Sequence, residues 1–146
     1  MGRNFFAAVL GIALLLSANQ SASATEKVWS GLVVATNGRK TQPPPEIRRF
    51  VGTLKRTFGY NKFELIGQSR KALHTGEENW MASSKHFSLH VDARGAVRDG
   101  YRLKLVLFQD HSVLLETDAT LTKSSPLVIK GPQIGAGQLL LLLVVQ

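Results

Sequence analysis

One segment of the chain carries apolar residues at helical intervals. The apolar positions fall at i, i+3, i+4, i+7 and i+11, and polar or basic residues fill the other side. They are Ile47, Phe50, Val51, Leu54 and Phe58. Pro45 is compatible with the first turn, and Gly59 follows where a left-handed C-cap is favoured. The pattern predicts an amphipathic helix over residues 45–58 that buries this stripe.

The remainder of the chain shows the alternation of apolar and polar residues that is typical of strands. Turn-forming residues separate the runs, with a turn at 76–79 and a polar loop at 92–100. The predicted strands are 28–35, 62–66 with a possible extension to 73, 80–91, 101–108, 112–121, 127–130 and 138–145. The unbroken apolar run 139–145 predicts a strand that is central or covered on both faces.

Two of these strands, 101–108 and 112–121, predict a hairpin with a defined register. A three-residue loop, Gln109–His111, places opposite charges on one face and aliphatic pairs on the other. The register pairs Val106 with Leu114, Lys104 with Glu116, Arg102 with Asp118, Leu105 with Leu115 and Leu107 with Val113. This agreement predicts an antiparallel sheet. On its outward face, Val106, Phe108 and Leu114 form a candidate apolar contact site.

Together these elements predict a single α+β domain over residues 25–146. Its expected architecture is an antiparallel sheet of five to seven strands with one amphipathic helix packed on a face.

The first 24 residues have the features of a secretory signal peptide. Arg3 gives the positive start, Phe5–Leu16 the apolar run, and Ala22–Ala24 the small-residue cleavage site. Twelve helical residues span roughly 18 Å, which is short of the ~30 Å hydrocarbon core. We therefore expect an exported protein, periplasmic or extracellular, with no transmembrane helix after cleavage.

Composition narrows the chemistry. The 146 residues contain no cysteine, which excludes disulfides, a thiolate nucleophile, a zinc finger and lipid attachment through cysteine. The formal net charge is +8, which favours acidic partners.

Basic residues occur as four doublets, which are Arg39–Lys40, Arg48–Arg49, Lys55–Arg56 and Arg70–Lys71. In the predicted helix, Arg48, Arg49, Lys55 and Arg56 form one exposed face, because members of the two doublets are seven residues apart. Such a face attracts an anionic surface in a salt-dependent way; the alternative is an ordinary solvated helix exterior. Nucleic acid is not an expected partner, since the protein is predicted to be exported and the doublets lack interleaved aromatic residues.

Motifs for cofactor, metal or phosphate binding are not recognised. The glycines Gly131, Gly135 and Gly137 are not followed by Lys-Ser/Thr, so they favour a turn between the last two strands over a phosphate loop. His86 and His90 are four residues apart, about 13 Å along a strand, too far for one metal ion. No cofactor and no metal are predicted.

A small secreted hydrolase or carbohydrate-active enzyme is the alternative. Its site would have to assemble from His86, His90, Glu116 or Asp118, converging in a cleft. Catalytic signatures are otherwise missing, so whether the chain is an enzyme stays open.

The order of features resembles that of a diffuse group of small exported bacterial proteins of unknown function. The matching pieces are Leu32–Asn37, Leu54–Leu65 and Ile129–Val145. The resemblance implies export and a helix followed by a β-rich remainder, and it brings no catalytic residues. The sequence therefore predicts a non-enzymatic envelope protein with a binding or assembly role, through the basic helix face and the sheet edges. Its partner would be an envelope protein or an anionic surface, and its oligomeric state is open.

Overall fold

Eight antiparallel strands and one short helix form the part of the chain that the computed structural model describes, residues 26–39 and 41–146. The predicted signal peptide lies outside these residues. The strands are β1 (Lys27–Thr36), β2 (Lys62–Ala72), β3 (Glu78–Ser83), β4 (Phe87–Val97), β5 (Gly100–Gln109), β6 (Ser112–Thr122), β7 (Leu127–Ile134) and β8 (Gly137–Val145). The predicted helix 45–58 is corrected at its start: only Val51–Phe58 is α-helical (helix α1), and a 3₁₀ turn, Arg48–Phe50, leads directly into it.

The strands form two four-stranded sheets, with the orders β2-β1-β8-β7 (the first sheet) and β3-β4-β5-β6 (the second sheet). Both sheets contribute side chains to one shared core, including Leu32 and Leu141 from the first and Leu89 and Leu105 from the second. The α+β class and the antiparallel pairing agree with the sequence prediction. The expected single sheet of five to seven strands is corrected to eight strands in two sheets.

The difference in strand count arises between residues 80 and 100. The predicted strand 80–91 is interrupted by a turn, in which the backbone N–H of Ser84 donates to the carbonyl of Phe87 at 2.7 Å. The predicted loop 92–100 instead continues β4 as far as Val97, with Ala93 buried and an extra residue, Arg94, bulged out of the β4–β5 ladder. Bulges admit an extra residue without ending a strand, and this one hides the strand from a strict alternation test.

The helical segment packs on the face of the first sheet that lies opposite the shared core. Ile47, Val51 and Leu54 are buried there, in a second core. The sheet contributes Trp29, Val33, Ala35, Phe63, Leu140, Leu142 and Val144, and Phe50 and Phe58 are half-buried against them. Consequently β8 is covered on both faces, as its unbroken apolar run predicts. The helix ends at Gly59, which adopts φ +76° as the left-handed cap.

The β5–β6 hairpin differs from the predicted register by two residues over most of its length. One side chain also changes face, because Val113, predicted to meet Leu107 in the core, lies opposite Phe108 on the outer face and is 55% exposed. The hairpin turn has two residues, Asp110 and His111, and Leu114 is bulged, so that Lys104 lies opposite Asp118. The ion pair expected from the sequence still forms along the diagonal, with 2.6 Å between Lys104 Nζ and Glu116 Oε1. A slip of two residues preserves which side chains face the core, and hydrophobic alternation alone cannot detect it.

A polar contact joins the two sheets near the start of β1. The Tyr101 hydroxyl donates to Glu26 Oε2 at 2.6 Å, and Lys123 Nζ lies 3.1 Å from Glu26 Oε1. The hydrogen bond from Tyr101, followed by the bond and charge of Lys123, lowers the pKa of Glu26. The same bond raises the pKa of Tyr101 to about 12.

Removing this contact with Tyr101→Phe should lower the thermal midpoint in a pH-dependent way. The lowered pKa of Glu26 means that its contribution is present above the ordinary glutamate pKa and disappears as the pH falls through the lowered value. The raised pKa of Tyr101 means that its contribution is present below the ordinary tyrosine pKa and disappears as the pH rises through about 12. Thermal midpoints across pH should therefore differ most between wild type and variant in the neutral range. Tyr60→Phe, in the second core, is the control; an equal loss from Tyr101→Phe at every pH would contradict the expectation.

Candidate functional site

Two exposed arginines line a groove beside the 3₁₀ turn. Because the turn directs Ile47 and Val51 into the second core, Arg48 and Arg49 are left on its outer side, exposed. The groove encloses about 680 Å³. We call it the basic groove, lined by Pro45, Glu46, Arg48, Arg49, Val145 and Gln146.

Two smaller depressions adjoin the basic groove and share residues with it. One, of about 350 Å³, shares Glu46 and Gln146 and adds Arg70 from β2. The other, of about 270 Å³, shares Arg49 and Val145 and adds Lys123 and its neighbouring serines. Arg70 therefore extends the cationic surface beyond the helical segment on one side, whereas Lys123, on the other side, is paired with Glu26. The sequence marks Arg70 as part of a basic doublet, but only the fold shows that it lies beside the groove. No sequence pattern predicts that Lys123 lies nearby.

Glu46 also lines the groove, but the groove arginines form no ion pair with it or with another acid of the described residues. Within the part of the chain described, Arg48, Arg49 and Arg70 have no carboxylate oxygen within 4.0 Å. The guanidinium carbon of Arg49 lies 4.6 Å from the centroid of the Phe50 ring, a cation–π contact that orients it. Arg48 Nη2 lies 3.5 Å from the carbonyl oxygen of Pro43. Guanidinium groups in this state are suited to bidentate bonding with phosphate or carboxylate.

Lys55 and Arg56, the other half of the predicted basic face, do not line this groove. Lys55 lines a separate depression of about 220 Å³ together with Thr41 and Pro43. Arg56 Nη2 lies 3.4 Å from the hydroxyl oxygen of Thr53, one turn back along α1. All four basic side chains are exposed, but they divide into two pairs with different surroundings.

The predicted apolar site lies on the outer face of the second sheet. Val106 and Phe108 are half-buried there, and Leu114, at the β6 bulge, is 38% exposed. The structure adds Trp80, which is 54% exposed. Its ring centroid lies 4.8 Å from that of His90 and 5.4 Å from that of Phe108. We call Trp80, His90 and Phe108 the aromatic platform; the sequence prediction missed Trp80 because it merged β3 and β4 into one strand.

The residues considered for a hydrolase have separate partners. His86 Nδ1 lies 3.2 Å from Asp110 Oδ1, and His90 Nε2 lies 3.7 Å from Glu78 Oε2. Glu116 is paired with Lys104, whose hydrogen bond and charge lower the pKa of this carboxyl. Asp118 lines a surface depression with Glu116 but neither histidine. Over residues 26–39 and 41–146, no group of three or more acidic, histidine or cysteine side chains is arranged to hold a metal ion.

Within the same residues, no helix has the length and apolar character needed to cross a membrane. Comparison of the chain with protein-family models, characterised proteins and solved structures finds no match. Functional inference therefore depends on the two surfaces described above.

Proposed function

We propose that this protein is an exported, non-enzymatic binding protein of the cell envelope that holds an anionic surface through its basic groove. The observation that carries this proposal is the set of exposed arginines, Arg48, Arg49 and Arg70, with no acid of residues 26–39 and 41–146 in pairing distance. Export is proposed from the signal peptide predicted for residues 1–24.

The electrostatics of the whole chain support the same proposal. A net charge of +8 attracts anionic surfaces over a distance comparable to the Debye length, about 8 Å at physiological salt. The groove then supplies short-range bonds from Arg48 and Arg49 to phosphate or carboxylate groups. We expect binding that weakens as salt is added.

Assembly through the sheet edges receives less support from the geometry. The four edge strands are β2, β3, β6 and β7. In each of them the pairing with the neighbouring strand is interrupted once by a bulge. In β7 the bulge contains Gly131 and Pro132, whose carbonyl groups accept bonds from the buried amide of Gln138. Bulges and proline twist an edge strand and disfavour pairing with a further strand. We therefore assign binding to the basic groove and not to the sheet edges.

Reversing the groove charges with Arg48→Glu and Arg49→Glu should weaken binding to anionic vesicles by at least about tenfold. The expectation rests on roughly 1 kcal/mol for each Lys or Arg near an anionic surface, which two reversals exceed. Cosedimentation of the purified protein with phosphatidylglycerol-containing vesicles measures the effect, and phosphatidylcholine vesicles should retain little protein.

The matched control is Lys55→Glu with Arg56→Glu, which gives the same net charge but leaves the basic groove intact. If the groove is the contact, this control should lose clearly less binding than the groove variant. Equal losses would show that only the overall charge matters, and no loss in either variant would remove the basic surface from the function. If the protein does not bind anionic vesicles but captures a protein from an envelope extract through the groove arginines, the partner is a protein and not an anionic surface.

A further inference from the structure

The aromatic platform is built from side chains of three neighbouring strands of the second sheet. Trp80 lies directly opposite His90 in the β3–β4 ladder and reaches over β4 to Phe108. The rings of its two neighbours are tilted to it by 57° and 50°. A tryptophan held by two rings and still 54% exposed offers a flat apolar surface whose ordering costs little additional entropy on binding.

The charged side chains beside the platform are nearly balanced, and four of them form two ion pairs with one another. The face carries four acids and three bases, which are Glu78, Asp92, Glu116, Asp118, Arg94, Arg102 and Lys104. Asp92 Oδ2 lies 3.1 Å from Arg94 Nε, and Glu116 Oε1 lies 2.6 Å from Lys104 Nζ. This balance contrasts with the net charge of +8 for the chain. The face therefore presents many hydrogen-bonding groups with an excess of only one acid, which suits an uncharged polar ligand.

The platform and the charged groups lie close together on one sheet face. Asp92 lies opposite Lys104 in the β4–β5 ladder. This pair is two residues along the strands from His90, a distance of about 7 Å. Beyond them is a depression of about 510 Å³, lined by Arg94, Arg102, Lys104, Glu116, Thr117 and Asp118. An elongated ligand lying along the strands would contact both an aromatic ring and this polar depression.

We propose that the outer face of the second sheet binds an uncharged oligosaccharide built from β-linked glucose or N-acetylglucosamine units. The ring hydrogens of these sugars are axial, so each face of the ring is flat and apolar and can stack on Trp80. Their equatorial hydroxyls point outward and can donate to Asp92 and Glu116 or accept from Lys104. This site is on the other sheet from the basic groove, so the proposal goes beyond the proposed function and does not depend on it.

A protein partner fits this face less well. Only three large apolar side chains are exposed within the described residues, and they are Trp80, Val113 and Leu114. A stable protein interface takes about 20–30 residues from each side and has an apolar centre. Aromatic stacking with hydrogen bonds at its border needs much less apolar surface.

Acrylamide quenching of tryptophan fluorescence tests the proposal on the unmodified protein. Trp29 is 4% exposed, so collisional quenching reports on Trp80. Cellohexaose or chitohexaose should shield Trp80 from acrylamide, and maltohexaose, whose α-linkages curve the chain, should shield it less. High NaCl should leave the shielding unchanged, as should Arg48→Glu with Arg49→Glu, which separates this result from the test of the groove.

Variants then assign the contact, with affinity measured by calorimetry. Trp80→Ala should weaken binding by about tenfold, which corresponds to ~1.4 kcal/mol, whereas Trp80→Phe should retain most of the affinity. Thr57→Ala, at an exposed position of α1, which packs on the first sheet away from the platform, should have no effect. The proposal is overturned if neither β-linked oligosaccharide shields Trp80, if Thr57→Ala and Trp80→Ala lose affinity equally, or if Trp80 is shielded by a protein chain instead.

Discussion

Leu54→Ala is expected to lower the free energy of unfolding by about 2–5 kcal/mol. Leu54 is 1% exposed and lies in the second core, between α1 and the outer face of the first sheet. Truncation removes buried apolar surface and leaves a cavity, because β1 and β8 below it are held by the ladders on either side and by the shared core. The midpoint of denaturant unfolding, with its slope, measures the loss.

Two further variants on the same segment test the cause. Thr57→Ala changes an exposed position of α1 and should stay within about 0.5 kcal/mol of wild type. Phe50→Ala removes a half-buried ring from the same core and should also lower the free energy of unfolding. The loss should be smaller than that for a fully buried phenylalanine, because part of the ring is already in contact with water. An unchanged midpoint for both Leu54→Ala and Phe50→Ala would show that the helical segment is not docked on the sheet.

The docking of this segment also connects stability with the proposed function. Arg48 and Arg49 belong to the turn that leads into α1, and Val145 of β8 forms the opposite side of the basic groove. The groove therefore exists only while Ile47, Val51 and Leu54 hold the turn against the first sheet. Leu54→Ala should consequently weaken anionic binding near its unfolding midpoint, although Leu54 does not line the groove.

The elements that sequence could predict are those in which local pattern and burial coincide. The buried positions Ile47, Val51 and Leu54 agree with the helical pattern, since one side of this segment contacts the sheet, although only Val51–Phe58 is α-helical. The run 139–145 is read correctly because β8 is covered by the shared core on one side and by Leu54 and its neighbours on the other. In both cases a single burial rule governs every residue of the element.

The errors occur where backbone irregularity breaks that rule. The bulge at Arg94 breaks the alternation within β4, so the strand continues beyond its predicted end. The bulge at Leu114 shifts the β5–β6 register and turns Val113 to the outer face. The division into two sheets depends on which strands remain unpaired, and the hydrophobic alternation within a strand carries no information about that.

The site residues can also be separated into those that the local sequence pattern predicts and those that only the fold brings together. The exposure of Arg48 and Arg49 follows from the helical pattern alone, so they could be selected from sequence. Arg70 and Lys123 reach the same surface only because β2 and the β6–β7 turn are brought next to the 3₁₀ turn by the fold. Trp80 meets Phe108 through a ladder of three strands, which requires the correct break between β3 and β4.

Gly67→Ala is expected to destabilise the protein by about 1–3 kcal/mol, at the place where the two sheets approach each other through β2 and β3. A Cβ atom on Gly67 would lie 2.2 Å from the carbonyl oxygen of Ser83, which is backbone and cannot rotate away. The strands would have to separate, and with them the bond that the Lys71 amine donates to the Trp80 carbonyl nearby. Glycine within a strand commonly marks such a close approach of another backbone.

Gly95→Ala is the matched control for this substitution, because both glycines lie at bulges in strands and neither has a positive φ. A Cβ on Gly95 meets no atom within 4 Å, so alanine there should be neutral or slightly stabilising, since it restricts the unfolded chain. Comparison of the two unfolding midpoints therefore isolates the contact between β2 and β3 from the general effect of adding a methyl group. Equal midpoints would mean that the sheets are not in contact at Gly67. A loss confined to Gly67→Ala, with reduced shielding of Trp80 by oligosaccharide, would show that this junction also fixes the position of β3 and its platform tryptophan.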